Sequence, residues 1–190
     1  MMQVAQEIPA LQTSKSLNSS CHWRPLDAWP VEQRPALWTW LLDTGSLTKR
    51  LRATAGPDFH VRVLHEGRTS LDLENARLLQ THTGNAALER RVYLCADTPW
   101  VYAHTLALTE SRQWLDRLGT NPLGDRIFAN AAAQRSVIEV AQLDSRHELY
   151  QAALQGLEMK PPVLWARRSV LLVDSQRLLI YECFLPGMGA

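Results

Sequence analysis

The chain has 190 residues, of which 46% are hydrophobic and 21% are charged, as expected for one globular domain with a substantial core. Its formal net charge of +1 at pH 7 excludes a general electrostatic attraction to nucleic acid or to anionic lipid. No apolar run is long enough to span a membrane, the amino terminus lacks a secretory pattern, and the three cysteines form no CxxC pair. We therefore expect a cytoplasmic protein with reduced thiols, without stable membrane insertion and without a nucleic-acid partner.

The amino-terminal part is predicted to combine short helices with one strand. Residues 1–22 are polar and unpatterned, so we expect a loosely ordered segment there. A helix is predicted over 35–43, because it begins at a proline and ends before a glycine. Ser46 is a typical N-cap for a second helix, in the segment SLTKRLRA. The alternating segment FHVRVLH predicts a strand over 59–65, and residues 69–73 are a candidate for its hairpin partner.

The remainder of the chain is richer in strands. Strands are predicted over 88–94, 100–108, 136–143, 164–173 and 178–185, and helices over 109–118, 121–132 and 144–157. Most connections between strands are short, which favours an antiparallel sheet with helices on one side. The predicted fold is therefore α+β, with a single antiparallel sheet of about six strands and flanking helices, in one domain over residues 23–190.

Two charged residues lie on otherwise apolar strand rows. Arg90 shares a face of its predicted strand with Leu88, Val92 and Leu94. In the segment LLIYECFL, Glu182 likewise shares a face with the apolar residues Leu178, Ile180 and Phe184. An unpaired buried charge is costly, so each residue needs a partner. One interpretation is that the two pair with each other in the core or lie exposed at a sheet edge. The other is that they bind a ligand.

Two predicted helix starts make a ligand site as well supported as a purely structural role for Arg90 and Glu182. Ser46-Leu47 and Asn121-Pro122-Leu123 each open a helix, and the first amide groups of a helix are natural sites for a carboxylate or phosphate. An interior arginine, two helix starts and a buried carboxylate would form a compact pocket for a small anionic ring that bears a hydroxyl group. Arg167-Arg168 could add positive charge, although one inward and one outward arginine is the simpler expectation.

Cues for other chemistries are weak. The motifs GxGxxG, GxxxxGK[ST] and GxSxG do not occur in the sequence. His60 and His65 are expected on opposite faces of one strand, where they could not easily chelate one metal ion.

Six segments resemble the chorismate pyruvate-lyases (4-hydroxybenzoate synthases). They are WLLDTGSLTKRL, HVRVLHEG, RRVYLCADTPWVYAHT, LGTNPLGDRIF, WARRS and YECFLPG, in the order of that family. The resemblance implies a monomer whose buried site is closed by helical flaps and needs no cofactor or metal. It also implies that Arg90 holds a ring carboxylate, that the backbone amides of Leu47 and Leu123 contact the same carboxylate, and that Glu182 lies beside the 4-oxygen.

The implied activity is conversion of chorismate to 4-hydroxybenzoate and pyruvate, the first step of ubiquinone biosynthesis, with Arg90 and Glu182 as catalytic residues. Two departures concern His104, which stands where relatives have arginine, and the segment 144–161, which is longer than the corresponding connection. They leave open an alternative, a non-catalytic module that senses a small aromatic carboxylate. A third possibility is a structural protein in which Arg90 and Glu182 merely pair.

Overall fold

The computed structural model describes residues 22–108, 133–173 and 176–189. Some of the predictions concern residues outside these ranges. They are most of the loosely ordered segment over 1–22, the two helices predicted over 109–118 and 121–132, and Leu123. No helix in the described ranges is long and apolar enough to cross a membrane.

The described residues form one antiparallel sheet with four α-helices. The strands are β1 (Arg24–Pro25), β2 (His60–Ser70), β3 (Ala86–Cys95), β4 (Pro99–Leu108), β5 (Gln134–Arg135), β6 (Glu139–Leu143), β7 (Leu164–Val173) and β8 (Gln176–Phe184). The helices are α1 (Trp38–Leu41), α2 (Leu47–Ala55), α3 (Leu73–Leu79) and α4 (Glu148–Ala153). The sheet order is β1-β6-β7-β8-β4-β3-β2, with β5 beside β7. Since β1 and β5 have only two residues each, six longer strands remain, and the predicted α+β class with about six strands is confirmed.

The strand registers define two faces of the sheet. Arg90 lies opposite Thr105, which lies opposite Ile180, and we call the side with these residues the front face. Arg91 lies opposite His104, which lies opposite Tyr181, and these residues mark the back face. The predicted alternation along β3 is therefore confirmed.

Helices cover both faces, so the expectation of helices on one side was wrong. Leu47 and Leu51 of α2 pack with Val92 and Phe184 of the front face. On the back face, a second core joins residues of α3 and α4 to the strands, namely Ala76, Leu79, Leu149, Ala153, Tyr102 and Tyr181. Strands that are buried on both faces read as near-continuous apolar runs instead of a clean alternation, and the runs in β7 and β8 are the sequence signal for two covered faces.

β2 is longer than predicted, and residues 69–73 do not form its hairpin partner. The strand continues through Gly67 to Ser70 and pairs with β3 along its length, with a bulge between Val63 and His65. Gly67 is not among the glycines with positive φ and makes no turn. The bulge inserts one extra residue, so His60 and His65 both lie on the back face instead of on opposite faces.

α3 occupies a stretch that the sequence pattern left unassigned. Its N-cap is Asp72, whose carboxylate accepts hydrogen bonds from the backbone of Asn75 at 2.7 Å and from its side-chain amide at 2.8 Å. The helix ends at Gln80, which has a left-handed φ of 56°. An aspartate in the N-cap position is the local sequence signal for this helix.

Candidate functional site

The front face brings Arg90 and Glu182 to the same side of the sheet. Arg90 lies on β3 and Glu182 on β8, with β4 between them, and their side chains are buried at 4% and 8% exposure. Two strand spacings place their backbones about 10 Å apart across the sheet. In the register, Ala103 is the residue of β4 opposite Glu182, and Thr105 is the one opposite Arg90.

Arg90 forms an ion pair with a residue on the neighbouring edge strand. Its Nε lies 2.9 Å from Oε1 of Glu66, whose side chain is 49% exposed, whereas that of Arg90 is 5% exposed. Burial lowers the pKa of Arg90, and the charge of Glu66 acts in the opposite direction. The structure therefore holds a cation inside the front face with a solvent-accessible partner.

Glu182 has a separate and fully internal partner. Nε of Arg167 donates to Oε2 of Glu182 at 2.6 Å, and the Arg167 side chain is 1% exposed. In the described part of the chain, Glu182 and Arg90 therefore do not form the mutual pair that the structural interpretation required. The expectation of one inward and one outward arginine at 167–168 was also wrong, because Arg168 is buried on the back face at 7% exposure.

Arg167 also fixes the loop between α1 and α2. Its Nη1 donates to the carbonyl oxygens of Trp40 at 2.9 Å and Asp43 at 2.6 Å. The loop leads directly into Ser46, whose hydroxyl caps α2 by accepting from the amide of Lys49 at 3.2 Å, as predicted. The sheet thus holds the start of α2 over the same face as Glu182.

Leu47 is the first residue of α2 and is buried at 2% exposure. It packs in one apolar cluster with Val92 and Phe184, which lie two residues from Arg90 and Glu182 on their respective strands. The structure therefore brings together three of the four residues expected at the site. Leu123 is the fourth, and it lies outside the described residues.

Arg135 is a front-face cation that the sequence did not indicate. Its Nη1 lies 2.5 Å from Oγ of Ser169, and its Nη2 lies 3.5 Å from the carbonyl oxygen of Gly45. Burial lowers the pKa of Arg135, the nearby charges of Glu182 and Asp43 raise it, and that of Arg167 lowers it. Because β5 has only two residues, no periodic pattern could have predicted which way this side chain points.

The back face carries a different group of charges. Glu89 is buried, and its Oε1 lies 2.8 Å from Nε2 of His104 and 2.7 Å from Nη2 of Arg91. Burial opposes ionisation of Glu89, but the hydrogen bonds and charges of His104 and Arg91 outweigh it and lower its pKa to about 2. His104 therefore cannot replace a cationic contact beside Arg90, because the sheet separates the two side chains.

A cleft of about 480 Å³ adjoins this back-face group. Its lining combines strand residues with one side of α4, namely Arg91, Tyr102, His104, Glu148, Leu149, Gln151, Ala152 and Gln155. Among the described residues, none of those expected at the site (Leu47, Arg90 and Glu182) lines this cleft. Across the described ranges of the chain, no three histidine, cysteine or acidic side chains are arranged to hold a metal ion.

Comparisons with known proteins agree with the resemblance seen in the sequence. A protein-family model described as chorismate lyase matches residues 17–188. A probable chorismate pyruvate-lyase of Nitrosomonas eutropha is 33% identical over 176 residues, covering 90% of this chain and 97% of the relative. A probable chorismate pyruvate-lyase of Azoarcus sp. is 40% identical over 158 residues, covering 78% of this chain and 83% of the relative.

One solved structure has a similar fold. The effector domain of PhnF from Mycobacterium smegmatis superimposes with a TM-score of 0.56 and 14% identity, covering 77% of this chain and 91% of that domain. At this identity the likeness concerns the fold alone.

Proposed function

The chain belongs to the chorismate lyase family, and we propose that it removes pyruvate from chorismate and releases 4-hydroxybenzoate. One observation carries the proposal. Arg90 and Glu182 are both buried on the front face, each with its own partner, on strands separated only by β4. A ring with a carboxylate at one end and an oxygen at the other could contact both side chains at once.

Arg90 is proposed to bind the ring carboxylate. A guanidinium group can donate two parallel hydrogen bonds to a carboxylate, which fixes the orientation of the ring as well as its position. The ion pair with the half-exposed Glu66 keeps the arginine in place when no ligand is bound. The first amide groups of α2, beginning at Leu47, would donate to the same carboxylate, because helix N-terminal amides lack intrahelical partners.

Glu182 is proposed to accept a hydrogen bond from the 4-hydroxyl group of chorismate. Its Oε2 accepts from Nε of Arg167 at 2.6 Å, which holds the carboxylate in position, and Oε1 is the oxygen proposed to contact the ligand. Glu182 thereby orients the carbon atom that carries both this hydroxyl group and the hydrogen to be lost. Because the carboxylate is buried, its interaction with the ligand is stronger than it would be in water.

The substrate itself supplies the driving force for the reaction. The C4–H bond and the ether bond between C3 and the enolpyruvyl oxygen both break, and the ring becomes aromatic. The enolpyruvyl group departs with the electron pair of the ether bond and gains the proton at its methylene carbon, giving pyruvate. The protein must hold a reactive conformer, stabilise negative charge on the departing oxygen and exclude water.

The proposal extends to the setting of the reaction. 4-Hydroxybenzoate would enter ubiquinone biosynthesis, and the enzyme would act as a cytoplasmic monomer. The competing hypothesis is a module that binds a small aromatic carboxylate without converting it. Both hypotheses use the same pocket, so only turnover separates them.

The test is to mix the purified protein with chorismate, with and without EDTA, and to follow 4-hydroxybenzoate by absorbance and chromatography. We expect stoichiometric 4-hydroxybenzoate and pyruvate at a rate that the chelator does not change. Absence of product together with saturable binding of 4-hydroxybenzoate would instead support the sensor. Absence of both would leave the arrangement of Arg90 and Glu182 as a structural feature.

A further inference from the structure

Arg167 connects two parts of the proposed site. At one end of its guanidinium group it binds the carboxylate of Glu182, and at the other end it binds the loop that leads into α2. We propose, on the basis of the function proposed above, that Arg167 is a positioning residue that fixes the separation between Glu182 and the backbone amide of Leu47. This separation would select a ligand whose carboxylate and oxygen lie at opposite ends of one ring.

The strand register places Arg167 where it can reach Glu182. The two residues are direct neighbours on β7 and β8, so their side chains leave the sheet on the same face. Nε of Arg167 donates to Oε2 of Glu182 at 2.6 Å. The Arg167 side chain is 1% exposed, so little water competes for this contact. The position of the Glu182 carboxylate is therefore tied to that of Arg167.

The other end of the guanidinium group holds the chain after α1. This helix has four residues, and the last carbonyl groups of a helix lack intrahelical partners. Nη1 of Arg167 donates to the carbonyl oxygens of Trp40 at 2.9 Å and Asp43 at 2.6 Å. Arg135 also reaches this loop, but at the longer distance of 3.5 Å from the carbonyl oxygen of Gly45. The shorter of these contacts between the sheet and the loop are thus those of Arg167.

The loop transmits this position to the start of α2 over a few residues. Oδ1 of Asp43 accepts from the amide of Gly45 at 2.8 Å, which closes the turn before Ser46. Ser46 caps α2, and Leu47, its first residue, is buried at 2% exposure. A shift of the loop would therefore move the Leu47 amide relative to Glu182.

A planar guanidinium group suits this role better than a point charge. Nε and Nη1 belong to one rigid plane, so the two sets of contacts are held at a constant distance from each other. A lysine would keep the positive charge beside Glu182, but its flexible stem and rotatable ammonium group would not fix the two directions. Misplacing a positioned group by 1 Å can cost about 100-fold in rate. The shape of the Arg167 side chain, and not only its charge, should therefore matter for binding.

Two isomeric ligands test the fixed separation. 4-Hydroxybenzoate carries its hydroxyl group opposite the carboxylate, whereas 3-hydroxybenzoate carries it one ring position away, with the same charge and composition. In calorimetric titrations we expect the wild type to bind 4-hydroxybenzoate at least about 10-fold more tightly, the effect of one hydrogen bond to a charged group. Arg167→Lys should weaken binding of 4-hydroxybenzoate by about 10- to 100-fold and that of its isomer by less, so that the two Kd values become similar.

Arg168→Lys is the matched control. It makes the same change at the next residue, which is buried on the back face and pairs with Glu74 at 2.5 Å and Glu139 at 2.8 Å. The control alters buried ion pairs away from the site, so both Kd values should stay within about twofold of the wild type. All variants are compared at a temperature at which circular dichroism shows them to be folded.

A variant of Glu182 tests whether Arg167 acts through it. Glu182→Gln replaces the proposed acceptor of the hydroxyl group and should lose the preference for 4-hydroxybenzoate, as Arg167→Lys does. A preference that survives in Glu182→Gln but not in Arg167→Lys would contradict action through Glu182.

The two proposals fail in different ways. If the wild-type protein binds 4-hydroxybenzoate but does not convert chorismate, the proposed function is wrong, whereas the ratio of the two Kd values still tests Arg167. If the wild type does not prefer 4-hydroxybenzoate over its isomer, or if Arg167→Lys keeps the preference, the positioning role is wrong. Equal losses in Arg167→Lys and Arg168→Lys would mean that Arg167 serves stability alone. Loss of the preference in Arg167→Lys and Glu182→Gln, but not in Arg168→Lys, would establish the role.

Discussion

Replacing Arg90 by glutamine tests the proposed clamp on the ring carboxylate. Glutamine removes the charge and the paired donors but stays polar. Hydrogen bonds to a charged group contribute about 1.5–3 kcal/mol each, and truncating one side of a buried charge pair costs about 2–5 kcal/mol. A loss of about 3 kcal/mol corresponds to a Kd for 4-hydroxybenzoate that is roughly 100-fold weaker.

The structure indicates that this loss would not arise from unfolding. One partner of Arg90, Glu66, has a side chain that is 49% exposed and can be hydrated when the guanidinium group is absent. Ion pairs between solvent-exposed residues contribute about 0–1 kcal/mol to stability, and the exposed Glu66 brings this pair closer to that range than to a fully buried one. We therefore expect a folded variant whose thermal midpoint changes by only a few degrees.

Calorimetric titration with 4-hydroxybenzoate measures the effect directly, and steady-state kinetics with chorismate measures kcat/KM. Arg91→Gln is the matched control, because it makes the same change at the next residue, whose side chain lies on the back face. Its affinity for 4-hydroxybenzoate should remain close to that of the wild type. A near-normal Kd for Arg90→Gln, or an equal loss in both variants, would refute the assignment of the clamp.

Three other predictions concern the buried charges and the release of product. Arg167→Met should lower the free energy of unfolding by about 3–5 kcal/mol in urea titrations, because it leaves Glu182 buried without its cation. Lowering the pH from 5 towards 2 should destabilise the wild type by about 3 kcal/mol through Glu89, whose pKa falls from 4.5 to about 2 on folding. The stabilisation by Glu89 is complete above its unfolded pKa and is lost as the folded pKa is approached, so Glu89→Gln should lack this component of the acid sensitivity. 4-Hydroxybenzoate should inhibit turnover with a constant no higher than the KM for chorismate, because a buried product dissociates slowly.

Each of these expectations has a contrary outcome. Unchanged stability of Arg167→Met would mean that Glu182 is not held by the pair. The same loss of stability in wild type and Glu89→Gln between pH 5 and pH 2 would locate the acid sensitivity elsewhere. An inhibition constant for 4-hydroxybenzoate far above KM would contradict retention of the product.

The sequence predicted the parts of the structure that depend on short-range periodicity. The alternation along β3 gave the correct face for Arg90, and the range 164–173 gave the bounds of β7. The cap at Ser46 was also correct, since a serine before an apolar helical row satisfies the first amides locally. These signals involve residues close together in the chain, and their outcome hardly depends on the rest of the fold.

The features that the sequence did not predict correctly are those that depend on tertiary packing. The bulge between Val63 and His65 changes which side chains face the core, although the local sequence still reads as simple alternation. The partners of Arg90 and Glu182 depend on strand order, so Glu66 and Arg167 could not be chosen over a direct pair without knowing that β4 lies between them. Arg135 had no signal at all, because a two-residue strand has no period.

Neighbouring residues on β3 point to opposite faces of the sheet and have different proposed roles. Arg90 faces the proposed ligand site, whereas Glu89 and Arg91 belong to the back-face group with His104. A slip of one residue in the pairing of β3 with β4 would exchange the two faces and bring Glu89 to the front. Such a slip would bury the Glu89 carboxylate without His104, at a cost of several kcal/mol. The charge cluster on the back face therefore helps to fix which arginine of the pair faces the ligand.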